Sequence, residues 1–60
     1  MSSTTVVIAE DSVLLREGLI RLLHEGGFVV SAACGDAESF LTAVDTLAPD
    51  LAVIDVRMPP

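Results

Sequence analysis

Sixty residues suffice for one small domain or for part of a larger one, and a globule this short buries only about 60% of the surface its unfolded chain exposes. Apolar residues make up 52% of the chain and the mean hydropathy is +0.68, so the segment is either deeply buried or expects more protein around it. The net charge of −6 (nine acidic residues against Arg16, Arg21 and Arg57, with no lysine) repels polyanions such as DNA, disfavours anionic membrane surfaces, and favours cations as ligands.

The first five residues carry no charged side chain, and residues 2–5 read as a flexible lead-in. The apolar run that follows is too short for a signal-peptide core, and no stretch approaches transmembrane length, so a cytoplasmic protein without a membrane role is expected. Val6, Val7, Ile8 and Ala9 form that run, rich in β-branched residues and continuously apolar, as in a strand covered on both faces. It stops at Glu10-Asp11-Ser12, where Asp11 or Ser12 can cap a following helix by accepting from its free N–H groups.

The helix is expected over residues 13–25. Leu15, Leu19, Leu22 and Leu23 keep helical spacing, Leu14 and Ile20 widen the apolar face, and Arg16, Glu17, Arg21 and Glu25 are assigned to water. Gly26-Gly27 ends the helix, since glycine adopts the left-handed conformation of many C-caps. His24, alone near the helix end, makes no motif and is expected in solvent.

Residues 28–33 read as a second strand, and Cys34 after it is the only cysteine, which excludes an intrachain disulfide and a Cys-rich metal site. Cys34 is read as inert packing, and Phe28 and Phe40 as core. Gly35-Asp36 marks a turn with Asp36 as an N-cap. Ala37, Phe40, Leu41, Val44, Leu47 and Ala48 then follow the spacing of an amphipathic helix that ends before Pro49. Residues 51–56 form a third, nearly all-apolar strand interrupted by Asp55, and Met58-Pro59-Pro60 closes the chain in a rigid loop. A β-α-β-α-β order with short linkers implies an α/β fold with a parallel three-stranded sheet and two helices.

In such a sheet ligands bind beyond the carboxyl ends of the strands. Glu10 and Asp11 follow the first strand and Asp55 lies near the end of the third. If the strands run in order 2-1-3, the two are neighbours about 5 Å apart, and three carboxylates share one mouth. Their repulsion raises at least one pKa unless a hard, oxygen-seeking divalent cation relieves it, and Mg²⁺ suits a site of few carboxylates and several waters. The bland alternative is that acids after strands merely cap helices, which Asp11 could do. Asp55 resists that reading, because an acid inside a buried strand costs stability unless paired or set in a cleft.

Val6-Val7-Ile8-Ala9-Glu10-Asp11-Ser12, followed by Pro49-Asp50 and Leu51-Ala52-Val53-Ile54-Asp55-Val56-Arg57-Met58-Pro59, resembles the receiver domain of two-component response regulators. The resemblance runs in register from Val6 to Pro60 and includes Gly26-Gly27 and Gly35-Asp36-Ala37. It implies the N-terminal half of a flavodoxin-like doubly wound domain, with the C-terminal half of the domain beyond residues 1–60. It implies that Asp55 accepts a phosphoryl group from a phosphohistidine on a sensor histidine kinase. Asp11 would ligate Mg²⁺ directly, Glu10 directly or through water, and the backbone carbonyl of Arg57 would supply a further ligand. Receivers carry a Ser or Thr and then a Lys on two later strands. Without them this segment is expected to be a poor phosphoacceptor by itself. Its third strand is expected to be an exposed apolar edge that promotes self-association.

The resulting expectation is a signalling phosphoacceptor, not a turnover enzyme, with any DNA contact made by an output domain outside these residues. A receiver-like dimerisation scaffold is the main rival, and retention of Glu10, Asp11 and Asp55 together speaks against it. An aspartyl-phosphate phosphatase of the haloacid-dehalogenase type would place a second Asp where Arg57 stands. A dinucleotide-binding module would need a glycine-rich turn where Glu10-Asp11-Ser12 stands.

Overall fold

The computed structural model describes residues 3–55, and they form β1 (Thr5–Ala9), α1 (Val13–Glu25), β2 (Val29–Cys34), α2 (Ala37–Leu47) and β3 (Leu51–Ile54). The three strands make one parallel sheet, as the alternation of elements implies, and their order is β2-β1-β3, the order on which the meeting of the three acids depends. β1 is central, which explains its unbroken apolar run. Val6, Val7 and Ile8 have no exposed surface and Ala9 has 1%.

Alternation along β1 divides these side chains between two layers. Val7 and Ala9 pack with Cys34 of β2 and Phe40 of α2, joined by the half-buried Ala32, Ala43 and Val44. Val6 and Ile8 face the opposite way, toward α1, which packs against β2. An irregularity in the ladder makes β2 serve both layers. Val6 pairs with Val30 but Val7 with Ala32, so Ser31 is passed over. Without this bulge Val30 and Ala32 would share a face. With it, Ala32 joins the α2 layer while Val30 lines an open groove of about 870 Å³ beside Leu14, Gly18 and Phe28 on the α1 side.

The helix ends follow local chemistry. Ser12, not Asp11, caps α1, its Oγ accepting from the Leu15 amide at 3.3 Å. Asp36 caps α2, its carboxylate accepting from the Ser39 amide at 2.7 Å and the Ser39 hydroxyl at 3.1 Å. α1 closes in a Schellman turn. The Phe28 amide donates to the Leu23 carbonyl at 2.9 Å and the Gly27 amide to that of His24 at 3.1 Å, with Gly27 at φ +91°. That turn takes Phe28 out of β2, so the strand begins and ends one residue later than its sequence suggests. Ala48 ends α2 in the left-handed region at φ 45°.

Thr5 also departs from its sequence assignment, because it belongs to β1 and not to the lead-in. Its amide and hydroxyl donate to the Asp50 carboxylate at 2.8 and 3.1 Å, and the Asp50 amide donates back to its hydroxyl at 3.0 Å. This reciprocal pair pins the start of β3 to the start of β1 and so helps set the register that fixes where the strands end.

Coverage by the helices is thinner than periodicity suggests. Leu14 (82% exposed) and Leu22 (66%) were expected in the α1 core face, and Leu41 and Leu47 in that of α2, yet all four are exposed. Leu15, also expected in the α1 core face, is exposed too, as are Leu51 and Ile54. α1 packs chiefly on β2 and α2 on β1 and β2, and the two helices do not pack extensively on each other, so the flanks of their apolar stripes meet little among the described residues. No helix among the described residues is long and apolar enough to cross a membrane.

Candidate functional site

The carboxyl ends of β1 and β3 lie side by side. Ala9 pairs with Ile54, and the Asp55 amide donates to the Ala9 carbonyl at 3.0 Å, so Asp55 follows β3 at the level where Glu10 follows β1. Asp11 stands one residue further, on the loop into α1. One carboxylate oxygen from each of Glu10, Asp11 and Asp55 lies within 4.8 Å of the others. Glu10 is 4% exposed, Asp55 half-buried and Asp11 exposed, which makes a mouth open on one side. The structure thus brings together the three acids singled out in the sequence. Arg57, whose carbonyl was expected to join them, lies outside the described residues, as do Val56 and the Met58-Pro59-Pro60 loop.

Glu10 is held at every polar group of its backbone and by its carboxylate. Its amide donates to the Cys34 carbonyl at 2.9 Å, its carboxylate accepts from the Ser12 amide at 3.1 Å, and its carbonyl accepts from Arg16 Nη1 at 2.7 Å. The Ser12 amide exerts the largest single influence on the Glu10 carboxyl and lowers its pKa. Burial, hydrogen bonding with Asp11 and Asp55, and repulsion from Asp55 together outweigh it, and the net shift is upward. A carboxyl driven upward by its neighbours marks a site short of positive charge. Three hard oxygen donors with one open side fit Mg²⁺, which uses few carboxylates and retains water. Zinc and other thiophilic ions are poorly served, because no sulfur or imidazole belongs to the cluster.

Sequence reasoning missed Arg16, which it assigned to water. The residue is half-buried and turned back onto the acidic loop. A signal was available, since a cation in the first turn of a helix opposes the dipole and α1 has no acid in that turn to balance it. His24 is exposed and distant in the chain from the cluster, and Cys34 is a buried free thiol in the α2 layer.

Comparison with known proteins places this geometry in context. The family model described as the response regulator receiver domain matches residues 6–60. Protein-glutamate methylesterase/protein-glutamine glutaminase 6 of Anaeromyxobacter dehalogenans is 42% identical over 55 residues, covering 90% of this chain and 16% of that protein. The transcriptional regulatory protein PdtaR of Mycobacterium tuberculosis is 37% identical over 54 residues, covering 90% and 26%. The positive alginate biosynthesis regulatory protein of Pseudomonas aeruginosa is 39% identical over 56 residues, covering 90% and 23%. The chain therefore spans about a quarter or less of the length of these relatives. No solved structure matches it.

Proposed function

This chain belongs to the response regulator receiver domain family, and on that premise we propose that Asp55 is its phosphoacceptor, taking a phosphoryl group from a sensor histidine kinase with Mg²⁺ held by Glu10, Asp11 and Asp55. The observation that carries the reading is the meeting of three carboxylates within 4.8 Å at the carboxyl ends of two adjacent parallel strands. Receivers are signalling modules and not turnover enzymes. The methylesterase named in one relative is a property of that protein.

An Asp55 carboxylate oxygen attacks phosphorus, the bond from phosphorus to the kinase imidazole nitrogen breaks, and that nitrogen leaves with the electron pair. The obstacle is charge, since an anion must approach an anion. Mg²⁺, when bound, supplies the neutralising charge for donor and acceptor together. Asp11, exposed on its loop, would be the ligand nearest to solvent, and Glu10 would be the rigid one because its neighbours hold it. The backbone carbonyl of Arg57 would complete the protein ligands. The product adds about 1.5 to 2 negative charges at a half-buried position, enough to bias the surrounding surface between two states. If the whole protein regulates transcription, as the name of one relative says of that protein, any DNA contact would belong to an output domain in a longer chain, and the setting would be the cytoplasm.

Incubation with Mg²⁺ and acetyl phosphate tests the assignment. The expected result is slow formation of a single Mg²⁺-dependent phosphoryl adduct that maps to Asp55 and disappears in Asp55→Asn. An adduct on another residue, or one formed equally well in the presence of a chelator, would contradict it.

A further inference from the structure

Arg16 does not sit where its charge or its helix position would put it. Its guanidinium is drawn inward, and Nη1 donates to the Glu10 carbonyl at 2.7 Å. The same nitrogen would lie 2.9 Å from a Cβ built on Gly35, closer than real Cβ contacts come. Gly35 follows Cys34, whose carbonyl accepts the Glu10 amide at 2.9 Å. Arg16 is therefore wedged between the loops that leave β1 and β2, and Gly35 is the residue that leaves it room. A charge-assisted bond from a guanidinium is roughly twice as strong as a neutral one.

The geometric consequence is specific. The bond the Glu10 amide donates to Cys34 and the bond its carbonyl accepts from Arg16 pin the peptide planes on both sides of its Cα. The direction in which its Cα–Cβ bond leaves the backbone is therefore fixed, and the Ser12 amide holds the carboxylate at the far end. The same carbonyl belongs to the peptide that leads into Asp11, and pinning it orients Asp11 as well. We propose that Arg16 is a positioning residue of the acidic site, setting through the Glu10 carbonyl how the Glu10 and Asp11 carboxylates face Asp55, with Gly35 keeping its place open. The proposal rests on the cation-site reading above.

The test is an Mg²⁺ titration of the ¹⁵N-labelled chain and of Arg16→Met, Arg16→Lys and Gly35→Ala, followed by NMR with thermal unfolding recorded alongside. Arg16→Met is expected to weaken Mg²⁺ binding roughly tenfold, the scale of lost outer-shell partners. It should also shift the metal-free amide signals of Glu10, Asp11 and Asp55 while those of α2 stay in place. Arg16→Lys, which can still donate to the carbonyl, should recover part of the affinity. Gly35→Ala keeps the arginine but takes its space, and should displace the same signals to a smaller extent. Wild-type affinity and unmoved loop signals in Arg16→Met would overturn the proposal. So would a loss that spreads equally to α2 and is not recovered by lysine. If Arg16→Met fails to fold, Arg16→Lys and Gly35→Ala decide by the same signals. If the wild-type chain shows no response to Mg²⁺, the cation-site reading fails separately, and the metal-free signals alone then judge the positioning role.

Discussion

Single residues set the chemistry at the carboxyl end of the sheet, where Glu10, Asp11 and Asp55 supply three carboxylates and Arg16 holds the Glu10 carbonyl. An acid within an apolar run announces that it must be paired or set in a cleft, so Asp55 could be found without coordinates, although β3 ends at Ile54 and Asp55 follows the strand instead of lying in it. Glu10-Asp11 could be found by the break they make after Val6 to Ala9. Arg16 was missed because a charged residue on a helix is assigned by periodicity to solvent, and periodicity says nothing of a side chain that curls back over its own N-terminus. Asp36 shows a legible residue with a pH consequence. The Ser39 amide, and then its hydroxyl, hold the Asp36 carboxyl below its ordinary pKa. A lowered folded-state pKa means that the ionised cap stabilises the fold fully above the ordinary carboxylate range of about 4, and that this contribution fades as pH falls through the lowered value. Asp36→Asn keeps an acceptor but cannot titrate. Urea midpoints at neutral and acid pH should therefore fall less on acidification in Asp36→Asn than in the wild type, and equal falls would refute the role.

Among the elements, kind and order were readable and the ends were not. α1 is bounded as expected, because Ser12 and Gly26-Gly27 are strong local signals at both of its ends. β2 slipped by one residue, since Phe28 is claimed by the Schellman turn, and its bulge falls at Ser31, the one polar residue of the strand. The end of α2 illustrates a compromise. Pro49 disfavours the helical region at Ala48, and the chain adopts the left-handed region, which costs a non-glycine residue about 1 to 2 kcal/mol. Ala48→Gly removes that cost while adding unfolded-state entropy, so a net gain of about 0.5 to 1 kcal/mol is expected. Chemical denaturation measures it, and a loss of stability would show that the φ of 45° is not strained in the folded protein.

For the molecule as a whole, the excess of apolar residues left deep burial and a need for surrounding protein as alternatives, and the periodic stripes did not show which leucines would remain uncovered. That depends on how many strands lie beneath each helix, which is a property of the assembled sheet. Leu51 and Ile54 are exposed on β3, a terminal strand of the sheet among the described residues, and they leave it on opposite faces. An apolar strand edge pairs readily with another chain. The chain by itself is expected to self-associate, giving a sedimentation mass that rises with concentration in the micromolar range, and Ile54→Lys should reduce the association. A monomer at all concentrations would contradict this.

The central claim is that Glu10, Asp11 and Asp55 act as one cation site. Its most direct test is to follow their side-chain carboxyl carbons by ¹³C NMR while Mg²⁺ is added. All three resonances should move together with a single midpoint, and the shared response should vanish in Asp11→Asn. Resonances that move independently, or that do not move at all, would contradict the account.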